Sequence, residues 1–235
     1  MGLKETIQQN ISDMQSELGR KYWQTSASSL TLLPAIQTAL DQHAEGKLLD
    51  AGAGDLLYKP VVEEHCTDYE SLDIIDNPDL DYQQDIQDMD LGSGTYDTVF
   101  CRNVLEHVPN PDEAMAEIHR VLKSNGTAVV TVPHLAYLHN EPHDYNRYTP
   151  HGIRRLAEDV GFEVVRVDPV GGLFSFLGYS LATFLLGATY HLPVASTITL
   201  KINNTMQKLL VLIDKFTGNS EYFPLNCLLV AKKKP

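Results

Sequence analysis

Residues 48–55 read LLDAGAGD, and this stretch decides the fold of the 235-residue chain. A short apolar run ends in Asp50, and Gly52 and Gly54 follow it at two-residue intervals. The pattern predicts a strand that ends in a tight turn, where missing side chains let the backbone approach a ligand. Gly-x-Gly alone is not specific, because many α/β turns contain it.

Acidic residues after the glycine turn make the signal specific. Asp73 lies in a second strand-like run at 69–75, Asp85 and Ile86 follow, and another run covers 96–101. Acidic or small residues at successive strand ends would line the carboxyl edge of a parallel sheet, where such folds bind ligands. A dinucleotide fingerprint would need glycine at Leu57, which disfavours a nicotinamide oxidoreductase.

With these residues the sequence resembles class I S-adenosylmethionine-dependent methyltransferases of the type 11-like subgroup. Asp50, Gly52 and Gly54 match the family's first motif, whereas Leu56 stands where its third glycine is usual. The resemblance continues through DIQDMDLGSGTYDTVFCRNVLEHV (85–108), NPDEAMAEIHRVLKSNGTAVVTVP (110–133) and HNEPHDYNRYT (139–149). The last of these is similar to a loop of enzymes that act on cell-surface glycans and natural products. The resemblance covers residues 45–170 and the final strand.

The resemblance implies an α/β fold with a Rossmann-like, seven-stranded, mostly parallel sheet flanked by helices and a helical insertion before the last strand. We predict one methyltransferase domain over 1–235. Its parts are N-terminal helices (1–44), a cofactor-binding core (45–170), a helical cap (171–220) and the last strand (221–235). Periodicity and capping signals predict strands at 46–51, 69–75, 81–85, 96–101, 127–133, 162–168 and 222–232, and helices at 3–18, 27–44, 110–126, from Pro150 to Val160, and 194–217.

The same resemblance implies a set of residues that bind S-adenosylmethionine. Asp50, Ala51, Gly52 and Gly54 would hold its amino-acid part, helped by the start of the next helix. Asp73 would accept hydrogen bonds from both ribose hydroxyls. The remaining contacts would be Asp85 to the adenine amino group, Ile86 to the ring face, and the Cys101 backbone with Asn103 beside the methionine moiety. Taken singly, each acid could equally be a solvated strand end.

The loop at 139–148 holds the candidate acceptor-side residues. His139 and His143 are candidate bases, and Tyr145 and Arg147 would orient the acceptor. Because a hydroxyl needs a base more than an amine or a thiol does, these histidines favour O-methylation. Alternatively, Asp144, Arg147 and Tyr148 hold the loop together by hydrogen bonds. His139, Glu141 and His143 could also ligate a metal, but their spacing is not that of a helical zinc motif, and we predict none. We expect His107 to pack or cap beneath the cofactor.

The amino-acid composition limits the kinds of partner and the cellular location that we expect. The chain has 31 acidic and 18 basic residues and a net charge of −13, which argues against a nucleic-acid partner. Cys66, Cys101 and Cys227 are widely spaced, which argues against disulfides or structural zinc and favours the cytoplasm. The polar amino terminus is not a signal sequence.

Residues 173–195 read LFSFLGYSLATFLLGATYHLPVA and carry no Asp, Glu, Lys or Arg. They predict a helical cap or a homodimer surface, or else a cover over a hydrophobic substrate or a shallow membrane contact. Pro193 and several polar residues argue against a membrane span.

The sequence therefore predicts transfer of a methyl group from S-adenosylmethionine to a small-molecule, glycan or lipid-linked acceptor. The alternative is a non-catalytic, cofactor-binding partner subunit with a degenerate fold, suggested by Leu56 and the long apolar segment.

Overall fold

The computed structural model describes residues 26–235 and, before them, only Thr6, Gln9 and Asn10. The predicted helix at 3–18 therefore lies almost entirely outside the described residues. The described elements, in chain order, are α1 (Ala27–His43), β1 (Lys47–Ala51), α2 (Lys59–Val62), a 3-10 helix (Glu63–His65), β2 (Asp68–Asp73), β3 (Tyr82–Gln83), β4 (Tyr96–Arg102), α3 (Pro111–Val121), β5 (Leu122–Pro133), α4 (Pro150–Asp159), β6 (Phe162–Val170), α5 (Leu173–Thr189), α6 (Pro193–Thr217) and β7 (Asn226–Lys233).

The described strands form one seven-stranded sheet in the order β3-β2-β1-β4-β5-β7-β6. Strands β3, β2, β1, β4 and β5 pair in parallel along this order. The chain leaves β1 toward β2 on one side and later returns as β4 on the other. In sheets of this kind the reversal opens a crevice at the carboxyl ends of the two central strands. The predicted Rossmann-like α/β fold with a helical insertion is confirmed.

Backbone contacts divide the chain into two compact units. We call residues 26–34, 135–141 and 169–226 the helical unit, and residues 35–134, 142–168 and 227–235 the sheet unit. The core of the sheet unit includes Leu49, Leu72, Val99, Ile118, Val130 and Leu229. A smaller cluster in the helical unit contains Ala27, Tyr179, Val211 and Leu225. The prediction of a single domain stays a prediction.

Helix α3 ends earlier than predicted. Asn110 and Pro111 begin it as expected, although the Asn110 side chain makes no capping hydrogen bond. The helix stops at Val121, because Leu122 is extended and pairs with Tyr96 in the sheet. The next pair is Thr98 with Thr127, so the intervening residues form an irregularity in which Asn125 has a φ of 67°. The Asn125-Gly126 signal therefore marks this irregularity and not the end of a helix.

The segment after the glycine turn also differs from the prediction. Turns continue to Tyr58, and α2 has only four residues. The prediction that a helix starts directly after Gly54, where it would favour a ligand carboxylate, is therefore wrong. Further along the chain, Thr149 accepts a hydrogen bond from the Gly152 backbone N–H at 3.0 Å and caps α4, as its sequence predicts.

The predicted helical insertion consists of α5 and α6. Among the described residues, no helix combines the length and the apolar character needed to cross a membrane.

Candidate functional site

Asp50 lies one residue before the end of β1 and is only 2% exposed. The Tyr69 hydroxyl donates a hydrogen bond to its carboxylate at 2.9 Å. Burial raises the pKa of Asp50 to about 6, against the opposing effects of the Tyr69 hydrogen bond and the charge of Arg102. Asp50 is thus an acid whose charge is costly in the fold, and a nearby cation would favour its ionised form.

The glycine turn follows β1 and is hydrogen-bonded to β2. Gly52 has a φ of 90°, and its N–H donates to the Leu72 carbonyl at 2.7 Å. A side chain at Gly52 would overlap with Val104, so this position is closed to other residues. A Cβ at Gly54 would meet no atom within 4 Å. The backbone at Gly54 is therefore accessible to a ligand, as a cofactor-binding turn requires.

Leu56 also adopts a left-handed backbone, with a φ of 57°. Such a conformation costs a non-glycine residue about 1–2 kcal/mol. The turn thus keeps the backbone conformation of glycine at the position where the sequence departs from the family motif. The departure has changed the side chain and has not abolished the turn.

Asp73 ends β2 and joins the two neighbouring strand ends. One carboxylate oxygen accepts the Gly54 N–H at 2.8 Å, and the other accepts the Ile75 N–H at 3.2 Å. The Asn77 side chain donates to the Gly54 carbonyl at 3.2 Å, which fastens the same turn from the other side. These bonds fix the direction of the Asp73 carboxylate, while its remaining lone pairs can accept from a ligand.

Asp85 and Ile86 follow β3, one strand further along the sheet. Gln87 donates to the Asp85 carboxylate through its backbone N–H at 2.9 Å and through its side chain at 3.0 and 3.1 Å. The Gln87 amide oxygen accepts the Asn110 N–H at 2.9 Å. Ile86 is 5% exposed and packs in the core, so its side chain offers little surface to a ligand. Sequence reasoning missed Gln87, although a bond to an aspartate two residues earlier is a common local motif.

Cys101 and Asn103 lie at the carboxyl end of β4. Cys101 is fully buried, and burial raises the pKa of its thiol well above the ordinary range, so only its backbone is suited to a binding role. Asn103 has a φ of 52° and donates its N–H to the Thr131 carbonyl at 2.9 Å. The Thr131 hydroxyl donates to the Asn103 side chain at 2.7 Å, which fixes its amide.

Arg102 is a site residue that sequence reasoning missed. Its guanidinium lies 4.2 Å from the centre of the Tyr58 ring, on the segment after the glycine turn. It also supplies positive charge near Asp50. The structure thus brings Asp50, Gly52, Gly54 and Asp73 together, with Cys101 and Asn103 on the adjacent strand.

The second half of the acceptor-side loop, residues 144–148, is held in place by several contacts. Arg147 forms a bidentate ion pair with Asp144, at 2.5 and 2.6 Å, and the Asp144 side chain is 2% exposed. The backbone N–H groups of Tyr145 and Asn146 donate to the Glu106 carbonyl at 2.8 and 3.3 Å. The Tyr148 hydroxyl donates to the Leu105 carbonyl at 3.2 Å. These contacts favour the loop-holding alternative for Asp144, Arg147 and Tyr148.

The candidate bases lie in different units. In the sheet unit, His143 Nδ1 is hydrogen-bonded to the Tyr145 hydroxyl at 2.8 Å, and its backbone carbonyl accepts from His107 Nδ1 at 2.6 Å. This contact agrees with the packing position expected for His107, whose pKa is lowered by burial. In the helical unit, His139 Nδ1 lies 3.2 Å from the Tyr137 carbonyl.

Glu106 was not among the predicted site residues. Its side chain is fully buried, and burial raises its pKa to about 8. The nearer His107 ring nitrogen lies 3.7 Å from its carboxylate. Burial thus favours the neutral form of this side chain, which can donate a hydrogen bond. Its burial depends on distant segments, and no local sequence signal reports it.

Comparisons with known proteins agree with this geometry. A family model described as a methyltransferase domain matches residues 25–167. The phosphatidylethanolamine N-methyltransferase of Cereibacter sphaeroides is 29% identical over 110 residues, which cover 41% of this chain and 54% of that enzyme. The matched region thus spans about half the length of that curated relative.

Two solved structures share the fold. The 4+2 cyclase SpnF has a TM-score of 0.57 at 15% identity, with 85% of this chain and 80% of that chain covered. The 1,6-didemethyltoxoflavin-N1-methyltransferase of Burkholderia thailandensis, solved with 1,6-didemethyltoxoflavin and S-adenosylhomocysteine, has a TM-score of 0.54 at 15% identity. That alignment covers 86% of this chain and 76% of the other.

Proposed function

Because this chain belongs to the family of S-adenosylmethionine-dependent methyltransferase domains, with the class I fold, we propose that it methylates a lipid-linked acceptor. The family model covers more than half of the chain. The observation that carries methyl transfer is the joined pair of strand ends, in which Asp73 is fixed beside the open backbone of Gly54 and can bind the methyl donor.

The residues present fit S-adenosylmethionine. When bound, the cofactor supplies an electrophilic methyl group on a sulfonium. Asp73 would accept from the ribose hydroxyls, and the backbone of Ala51, Gly52 and Gly54 would hold the amino-acid part. The buried Asp50 would face an ammonium group, because a cation there offsets the cost of its buried charge. Asp85, the backbone of Ile86 and Cys101, and Asn103 complete the proposed cofactor contacts.

For the acceptor side we propose a hydroxyl group and His143 as its base. When His143 Nδ1 donates to the Tyr145 hydroxyl, Nε2 keeps the lone pair that can accept the hydroxyl proton. The Asp144–Arg147 ion pair holds the loop that carries His143. Much of the acceleration would come from holding the acceptor in line with the bond to the methyl group, because displacement requires that geometry. His139 stays the second candidate base.

Two observations support a lipid-linked acceptor over a water-soluble glycan or small molecule. The curated relative is a phosphatidylethanolamine N-methyltransferase, which is named for a lipid amine. In addition, α5 and α6 expose apolar side chains, among them Leu181 and Ile202. The amine of that relative's lipid makes N-methylation the competing choice of acceptor atom.

Methyl incorporation from labelled S-adenosylmethionine tests the acceptor class. The full-length protein is incubated with separate lipid, glycan and small-molecule fractions of a cell extract. We expect label in the lipid fraction, and we expect it to remain there after the amine-containing lipids have been removed. His143→Asn should lower turnover by roughly 10²–10⁴ at unchanged cofactor affinity. Label only in the glycan or small-molecule fraction would overturn the lipid assignment, and label only on lipid amines would overturn O-methylation.

The second candidate function is a non-catalytic, cofactor-binding partner subunit. The observation in its favour is Leu56, which holds a strained conformation where glycine is usual. This second function predicts that calorimetry detects S-adenosylmethionine binding and that no fraction of the extract becomes labelled. Incorporation into any one of them would exclude it.

A further inference from the structure

Helix α6 buries three polar residues and exposes six large apolar ones. Asn203, Gln207 and Asp214 are 4%, 2% and 7% exposed. On the opposite face, Ile202 is 60% exposed and Phe216 is 83% exposed. An ordinary surface helix turns its apolar face to the core, whereas α6 has an exposed apolar face in addition to the packed face that carries Val211.

The buried polar residues of α6 hold it to α5. Asn203 donates to the Ala182 carbonyl at 3.2 Å, and Gln207 donates to the Gly178 carbonyl at 2.9 Å. Both bonds end on backbone carbonyls of α5, where small residues let the helices come close. Small residues and polar side chains are the means by which helices associate in an apolar surrounding. The helix pair is therefore held together by these polar contacts as well as by the apolar packing of Tyr179 against Val211.

The exposed apolar side chains of α6 form one continuous row. We call it the apolar stripe, and its spacings of three, four or seven residues keep it on one face of α6. Its members are between 48% and 83% exposed: Val194, Ile198, Ile202, Leu209, Leu212 and Phe216. On α5, Leu177, Leu181 and Phe184 are also 48–53% exposed.

The charges beside the apolar stripe are all positive. Lys201, Lys208 and Lys215 recur every seven residues, each directly before a stripe residue, and all three are exposed. The one acidic residue of α5 and α6, Asp214, is buried against the start of α5. In a chain with a net charge of −13, this surface has no exposed acidic side chain.

We propose that the apolar stripe is a docking surface for an anionic lipid bilayer, with α6 lying in the plane of the interface. Apolar side chains on one face and basic residues along its border are the features that bind helices to such surfaces. The lysine stems can lie along the apolar region while their ammonium groups reach lipid phosphates. A second copy fits less well, because α5 and α6 offer the three lysines no exposed acidic partner.

Vesicle flotation tests the proposal without relying on any catalytic step. The full-length protein is mixed with vesicles of phosphatidylcholine alone, or of phosphatidylcholine and phosphatidylglycerol in equal amounts. We expect binding to the second kind only, weakened by added salt. Replacing all three lysines by glutamine should lower the partition coefficient about a hundredfold, since each contributes about fivefold near an anionic surface.

Substitutions in the apolar stripe separate lipid binding from simple charge attraction. Ile202→Gln and Leu209→Gln should each weaken vesicle binding about tenfold, because each removes an exposed aliphatic side chain that the bilayer would bury. Val165→Gln is the matched control, since Val165 is 46% exposed on β6 in the sheet unit. This variant should bind vesicles as the unmodified protein does. Circular dichroism confirms that every variant is folded.

Three outcomes would overturn the proposal. One is the absence of binding to anionic vesicles, and another is binding that the stripe substitutions leave unchanged. The third is a dimer in solution that Ile202→Gln dissociates while vesicle binding is absent, which would assign the stripe to a second copy. Light scattering on the same samples measures the oligomeric state.

Discussion

At the residue scale, Asp73 provides the most direct test of the cofactor site. Asp73→Ala should weaken S-adenosylmethionine binding strongly, because two charge-assisted hydrogen bonds of about 1.5–3 kcal/mol each would be lost. Titration calorimetry measures the affinity. Asp76→Ala is the matched control, because Asp76 is an exposed acid three residues away.

The Asp73→Asn variant separates binding from folding. Its amide oxygen can still accept the Gly54 N–H, so the turn should persist while the negative charge is lost. Affinity should fall in this variant as well. Unchanged affinity in both Asp73 variants would remove this residue from the site.

The raised pKa of Asp50 predicts that the free energy of unfolding depends on pH. Its pKa is about 6 in the fold, above the ordinary 3.8, so its stabilising contribution is present at low pH and is lost as the pH rises through 6. Asp50→Asn removes this loss. Between pH 5 and pH 8 the variant should gain about 1–1.5 kcal/mol relative to the unmodified protein, measured by urea unfolding. Parallel stability curves would show that the Asp50 carboxylate does not titrate in this range.

Residues at strand ends were predictable, and residues that act through distant partners were not. Asp50 and Asp73 end strand-like runs and Gly54 follows Asp50 by four residues, so their place at the sheet edge follows from the pattern. Arg102 and Glu106 give no such signal. Arg102 depends on the Tyr58 ring, and the raised pKa of Glu106 depends on burial by other segments.

At the scale of elements, α5 offers a paired test of packing. Phe176 packs against the cluster of Tyr179 and Val211, whereas Phe184 is 53% exposed. Phe176→Ser should lower the free energy of unfolding by about 2–3 kcal/mol, because it empties a packed position. Phe184→Ser should change it by less than about 0.5 kcal/mol. Equal losses in urea unfolding would mean that both rings are buried.

Periodicity predicted the extent of α6 within one residue but could not tell which of its faces is buried. A repeat of apolar residues reports a helical period and not the direction of the apolar face. The predicted end of α3 is wrong for a related reason, because the pairing of Leu122 with Tyr96 overrides the local Asn-Gly signal. Both features depend on contacts between segments that are far apart in sequence.

At the scale of the whole molecule, charge and exposed apolar surface act together. The net charge of −13 at pH 7 falls toward zero near the isoelectric point of about 5.0. Repulsion between molecules then vanishes while the apolar stripe stays exposed. Light scattering should therefore show reversible self-association near pH 5, reduced in Ile202→Gln with Leu209→Gln. Scattering that is equal in this variant would assign the association to another surface.

The Asp214 carboxylate makes the two ends of the α5–α6 pair unequal. It accepts the N–H groups of Phe174 and Ser175 at 3.0 and 2.6 Å, and the Asn219 side chain reinforces it at 3.0 Å. At the other end, one side-chain contact between the two helices joins two neutral hydroxyls, Thr189 and Thr199, at 3.4 Å. Local unfolding should therefore start at residues 189–199 and spread toward Asp214. Amide hydrogen exchange along the pair would then slow progressively in that direction, so that one carboxylate sets the order in which a whole helical hairpin opens.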